Sequence, residues 1–345
     1  MKIERKKPLS HPLIFIFSLL LLLTTQFSIA CNVELPTDKS TKDKPTKDKD
    51  KNKDKNKDDD SSKDLGSKQL QVHMLDIGQG DSLLIITPEK KSILIDAGLV
   101  KAAPKVIEAL EENNIESIDL VIASHPHADH IGGLPKVLDV VSAKKFLDSG
   151  QEHPTATYEK MLTKVKEKIG KLTIARAGQK FELDSGIKLE VLGPSEPLLE
   201  RVSGSIENAN SVILMLTYGG FRMIFTGDSE DETEQRLLEK GFNLKAQVLK
   251  VAHHGSQYAT SDDFLKKVNP EAAIISCGED NNYGHPAPPT LEKLKNDKVK
   301  VYRTDLQGQI TVISDGKNYQ IKTEHKATRN IWEGRTSSKS KKGDS

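Results

Sequence analysis

Between Gln69 and Thr323 the apolar positions fall into short runs bounded by turn residues, with stretches of helical spacing between some of them. LQVHML, DSLLIIT and SILIDAG predict strands separated by the turns IGQG and PEKK. Pro104 to Asn114 sets Val106, Ile107 and Leu110 on one face and predicts a helix. DLVIASH follows as a strand, and YEKMLTKVKEKIG as a helix ended by Gly170. A strand-rich stretch runs through LTIARAGQKFEL and IKLEVLGP to SVILMLTY and FRMIFTGD, which Gly219-Gly220 joins as a hairpin. Ser229-x-x-Glu232 has the spacing of a capping box for a helix that stops at Gly241. QVLKVAHHGS, AAIISCG and KVYRTD are further strands, and ITVISDGKNYQIK closes as a hairpin at Asp315-Gly316. Strands come in runs, helices separate them, and strict strand–helix alternation is absent. The expected fold is therefore α/β, an αββα sandwich of two mixed sheets packed face to face with helices outside, and not a doubly wound parallel sheet.

The flanks read differently. Lys2, Arg5, Lys6 and Lys7 precede an apolar run, Leu13 to Leu23, that only Ser18 interrupts, so residues 1–30 are expected to be a signal peptide. Two processing routes compete: cleavage after Ala30, giving a secreted protein, or lipidation of Cys31 in the lipobox-like FSIAC. A lone cysteine followed by a long polar spacer favours the second, which places the protein at the outer face of the cell membrane. Residues 31–68 are nearly all Lys, Asp, Asn, Ser and Thr from Thr37 to Asp64, a composition that cannot bury apolar surface and predicts a solvated, lipid-anchored tether. Residues 69–324 form the expected folded domain, and 325–345 a polar, basic, disordered tail.

Charge and cysteine content narrow the chemistry. The net charge of +1 does not mark the whole chain as a nucleic-acid binder, and two cysteines, Cys31 and Cys277, exclude a disulfide framework or a cysteine-rich zinc site. Cys277 reads as a small buried apolar residue within a strand. A metal site here must use histidine and carboxylate. HPHADH supplies both at the exit of one strand: His125 and His127 can chelate one ion, while Asp129 and His130 reach a second. That donor set suits zinc, manganese or iron. Gly132-Gly133 lets the chain turn behind the ligands. Two ions need more donors, and the candidates are Asp228 at the end of FRMIFTGD, His253-His254 after VLKVA, and His285 in YGHPAPP. IGQGDS leads into a strand and not a helix, so it implies no dinucleotide site.

HPHADH, LIDAG, TGD and AHHGS together resemble the metallo-β-lactamase superfamily. More narrowly, MLDIGQGDSLLI, NANSVIL, VAHHGS and YGHPAPP are similar to the extracellular hydrolase domain of the competence DNA-uptake family ComEC, over most of Gln69 to Ile313. The chain shows that domain without a polytopic channel and is expected to be a free-standing, exported relative. The resemblance implies that His125 and His127 hold one metal, that Asp129, His130 and His254 hold the second, and that Asp228 bridges them. His253 is left to touch substrate or donate a proton, His285 lies near the leaving group or second ion, and Asp96 of LIDAG orients ligand histidines from behind. Many members supply a further histidine to the first metal. Here that segment reads SIENANSVIL, so Asn208, Asn210 or Ser211 would stand in, and a single-metal enzyme is a possible outcome.

The implied function is metal-dependent hydrolysis through a metal-bridging hydroxide, with two divalent ions, zinc or manganese, and no organic cofactor. The resemblance points to a phosphodiester, DNA outside the cell, with Asn208, Asn210, Ser211 and Ser256 available to phosphate oxygens. The alternatives are another cell-envelope ester, such as a phosphocholine ester or a lactone, and a non-catalytic surface binding protein. No obligate protein partner is implied, and contact with the membrane would run only through the anchor at Cys31.

Overall fold

The computed structural model describes residues 68–279 and 281–335. The expected leader, the lipidation site at Cys31 and the tether lie outside these residues.

Six strands from the first part of the domain and its last two strands build an eight-stranded sheet. Its order is Tyr319–Thr323, Ile310–Ser314, Leu70–Met74, Leu83–Ile86, Ser92–Ile95, Leu120–Ala123, Phe146–Asp148, Leu172–Ile174. The second sheet has seven strands in the order Lys300–Arg303, Ala272–Ile275, Val248–Lys250, Phe221–Phe225, Ile213–Tyr218, Ile187–Gly193, Lys180–Asp184. Both sheets are mixed. Ser92–Ile95 through Leu172–Ile174 run parallel, as do Phe221–Phe225 through Lys300–Arg303. The hairpins at Gly219-Gly220 and Asp315-Gly316 form as the turn residues predict.

Period-two alternation sends one set of side chains inward from each sheet. Leu70, Val72, Ile85 and Ile122 meet Leu189, Leu214, Met223 and Ile274 in one buried layer. The opposite set packs under helices. Val106 and Leu110 of Ala103–Glu112, Val137 of Leu134–Val140, and Met161 and Val165 of Ala156–Lys168 cover the first sheet. Leu237 of Asp231–Glu239, Phe264 and Leu265 of Asp262–Val268, and Leu291 and Leu294 of Pro288–Asn296 cover the second. Each fully buried aliphatic chain contributes roughly 1.5–3 kcal/mol. The result is the αββα sandwich.

Three local expectations change. The helix Asp231–Glu239 has Glu230 as its N-cap, because Ser229 is buried with its amide bonded to the Thr226 carbonyl in a preceding turn (3.1 Å). Glu232 turns away to accept from the Ser203 amide (2.8 Å) and hydroxyl (2.7 Å), so no capping box forms. Cys277 is a buried free thiol lying just past the strand Ala272–Ile275 rather than within it. The polar tail begins later than composition suggests. Ile331 and Trp332 pack against the outer core of the second sheet, and the buried Arg303 guanidinium donates to the carbonyls of Ile331 (3.0 Å) and Glu333 (2.7 Å). Arg335 donates to Asp305 at 3.1 Å, so a buried cation and an apolar pair hold residues that their polar neighbours disguise.

Candidate metal centre

The C-terminal ends of the parallel strands of both sheets supply the expected residues. Asp96 follows Ser92–Ile95, His125 follows Leu120–Ala123, Asp228 follows Phe221–Phe225, and His253-His254 follow Val248–Lys250. Among the described residues, three of the eight non-glycine residues with positive φ are Asp96 (58°), His253 (48°) and His254 (54°). Such backbone costs on the order of 1–3 kcal/mol per residue and persists where the surroundings impose it. Gly80 of IGQGDS belongs to the same frame. A Cβ there would collide with the Asp129 carbonyl oxygen, which accepts the Asp81 amide at 3.2 Å.

The side chains converge. His125 Nε2 stands 3.1 Å from His127 Nδ1, two ring nitrogens of separate residues turned toward one point. Asp228 Oδ2 lies 3.2 Å from His130 Nε2, 3.3 Å from His254 Nε2 and 3.9 Å from His125 Nε2. His254 Nε2 is 3.5 Å from Asp129 Oδ2. His125, His130 and Asp228 each offer one ligand atom within 4.8 Å of the others, and so do Asp129, His130 and His254. Asp81, unassigned from sequence, forms two more such groups, one with Asp96 and His130 and one with Asp228 and His254.

These atoms fit a cation and fit each other poorly. Asp81 Oδ1, Asp228 Oδ1, His130 Nε2 and His254 Nε2 are buried without a hydrogen-bond partner among the described residues, despite the close approaches. A buried polar group left so costs roughly 1–3 kcal/mol. Lone pairs that meet at a common centre without hydrogen-bond geometry are what a metal ligand set requires, and imidazole with carboxylate suits a divalent transition metal. The carboxylates also set a negative field that a bound cation would have to displace protons to occupy. Burial opposes charge on His130, yet Asp228, Asp129 and Asp96 hold its imidazole well above the ordinary range. Burial likewise opposes charge on His254, and Asp228 and Asp81 hold it well above. Burial and the neighbouring His130 drive His125 well below.

Support lies directly behind. Asp96 Oδ2 sits 2.8 Å from His130 Nδ1 and accepts the Ser124 hydroxyl at 2.6 Å, while Oδ1 accepts the Ser124 amide at 2.8 Å. His254 Nδ1 donates to the Ser276 carbonyl at 2.9 Å, which turns Nε2 inward. Asp96→Asn is expected to lower divalent-metal affinity roughly 10- to 100-fold, as loss of such partners does, by calorimetric titration of the folded variant.

The four expected phosphate contacts divide. The Asn210 amide donates to the carbonyls of Leu199 (2.8 Å) and Ile206 (3.0 Å), and its oxygen accepts the Leu199 amide (2.9 Å), so the side chain fixes its own loop. Ser211 Oγ is buried and accepts the Asp228 amide at 3.3 Å. Ser256 is buried and its hydroxyl accepts the Tyr258 amide at 3.3 Å. The Asn210 side chain is thus fully engaged by its own loop, whereas the two buried serine hydroxyls each accept one backbone amide and keep their own proton to donate. Asn208 donates to Glu230 Oε1 at 3.0 Å, and its amide oxygen is buried with no hydrogen-bond partner among the described residues.

Several residues escaped the sequence. Lys250 is fully buried, ion-pairs with Asp81, donates to the Gly227 carbonyl at 2.9 Å and lies 3.9 Å from Asp228 Oδ1. Glu230 faces His253 Nδ1 at 3.3 Å, while His253 Nε2 stands 3.9 Å from Asp228 Oδ2. Glu207, inside the segment that lacks a histidine, approaches His127 Nε2 at 4.0 Å and His153 Nε2 at 3.8 Å. A lysine inside the apolar run VLKVA was the one legible signal, since a charge there demands a buried partner. His285 closes the wall, its ring 5.4 Å from that of His253 and 6.2 Å from that of His254. Burial, with His254 and His253 beside it, pushes its imidazole down to about 3.

Comparison with known proteins follows the same outline. Residues 75–279, more than half of the chain, match the Metallo-beta-lactamase superfamily. ComE operon protein 3 of Bacillus subtilis (strain 168) is 31% identical over 267 residues, 71% of this chain and 33% of that protein. Competence protein ComA of Neisseria gonorrhoeae is 30% identical over 241 residues, 69% of this chain and 31% of its own. The chain thus spans about a third of the length of these relatives. Exodeoxyribonuclease YycJ of Bacillus anthracis is 26% identical over 159 residues, 44% of this chain and 55% of that protein. The chain belongs to the metallo-β-lactamase superfamily.

Proposed function

We propose that the protein is an exported phosphodiesterase, dependent on two divalent metal ions, zinc or manganese, that cleaves DNA outside the cell. The observation that carries this is the buried convergence of His130, His254 and Asp228 without hydrogen-bond geometry among them. His125 and His127 would hold one ion and Asp129, His130 and His254 the other, with Asp228 between them. When bound, the ions supply an activated water and Lewis acidity toward a phosphoryl oxygen.

The chain's own residues do the rest. Asp96 sets the His130 ring. His253 presents Nε2 to the centre with Glu230 behind Nδ1, an arrangement that can pass a proton to a leaving oxygen. The names of two relatives, a competence protein and an exodeoxyribonuclease, support DNA as the diester. The basic segment and apolar run before Ala30 support export, and Cys31 supports a lipid anchor. The test is cleavage of a single-stranded oligonucleotide and of an envelope ester by the manganese- or zinc-loaded protein. Turnover of the oligonucleotide alone is expected, whereas turnover of the ester alone, or of neither, contradicts the proposal.

A further inference from the structure

The described residues expose few large apolar side chains. Two are tyrosines, Tyr258 at 64% and Tyr283 at 65%, whereas Tyr158 (7%) and Tyr302 (9%) are buried. Both exposed rings sit in the loops that carry site histidines, Tyr258 four residues after His254 and Tyr283 two before His285. Tyr283 lies 5.8 Å from the His285 ring at an interplanar angle of 24°. His285 in turn lies 5.4 Å from His253 and 6.2 Å from His254, so aromatic faces run from solvent to the centre. The loop bearing Tyr258 is pinned beside His253 and Glu230. Its carbonyl accepts the Asp231 amide at 3.3 Å, next to Glu230, and its amide donates to Ser256.

We propose that Tyr283 and Tyr258 are stacking platforms for the bases of a single-stranded polynucleotide whose scissile phosphate occupies the metal centre. This rests on the phosphodiesterase reading and names the form of its substrate. A tyrosine offers a flat face with little rotamer entropy to lose, and exposing two beside an anion-binding centre has no packing benefit. Every base has a π-face, so such platforms tolerate any sequence. Bases within a duplex are already stacked, so single strands are selected.

The experiment compares wild type, Tyr258→Ala, Tyr283→Ala and Tyr283→Trp, each manganese-loaded. The substrates are a single-stranded oligonucleotide, its duplex, and methyl p-nitrophenyl phosphate, a diester without a base. For each alanine variant kcat/KM on the single strand should fall about tenfold further than on the small diester, mainly through KM, following the stacking energy. The tryptophan variant should recover most of that loss. Equal falls on both diesters, or no fall on either, overturn the proposal, as does a wild-type preference for duplex. If wild type cleaves the small diester but no polynucleotide, the stacking proposal fails and the phosphodiesterase reading stands. If it cleaves no diester, both fall.

Discussion

Asp228→Ala should lower kcat/KM on a phosphodiester by roughly 10³-fold or more while the domain remains folded. The carboxylate lies within 3.3 Å of two imidazole nitrogens and within 3.9 Å of a third. On the proposed arrangement, losing it removes the group between the two halves of the ligand set, and the Lewis acidity a bound metal would supply, worth several kcal/mol, goes with it, each 1.36 kcal/mol being tenfold in rate. Activity within about tenfold of wild type would show that another residue performs the bridging role. Circular dichroism separates lost chemistry from lost structure. The inner core, from Leu70 to Val312, does not depend on this side chain.

The second large effect concerns stability. Lys250→Met should destabilise the fold by about 3–5 kcal/mol, the usual cost of leaving one member of a buried ion pair alone. Lys250 and Asp81 are both buried, and nothing in solvent can replace the ammonium that Asp81 and the Gly227 carbonyl share. The double variant Lys250→Met/Asp81→Asn should recover most of the loss, because it removes the orphaned charge. Urea denaturation of the single and double variants measures both, and a single-variant effect below about 1 kcal/mol contradicts the role given to the pair.

Much of this molecule could be read before its coordinates. Alternation in runs such as LQVHML and SVILMLTY encodes inward and outward faces directly, which is why the two sheets and outer helices emerge as expected. HPHADH, TGD and HHGS sit at strand ends, and parallel strands of both sheets deliver their ends to one edge, so local motifs sufficed to find the imidazoles and carboxylates that converge there. What resisted depends on tertiary pairing. Nothing local in IGQGDS says that Asp81 meets Lys250, more than 160 residues away. Nor does SIENANSVIL reveal that Asn210 is consumed by Leu199 and Ile206 while Glu207 turns to His127. Polar residues with chemical potential were legible as types, but their hydrogen-bond partners were not.

Metal content tests the central claim most directly. Elemental analysis of protein loaded with zinc or manganese and desalted should return two ions per chain for wild type, and at least one fewer for Asp228→Ala. No stoichiometric metal in the wild type, or the same complement in the variant, would contradict a centre built from Asp228 and the histidines around it.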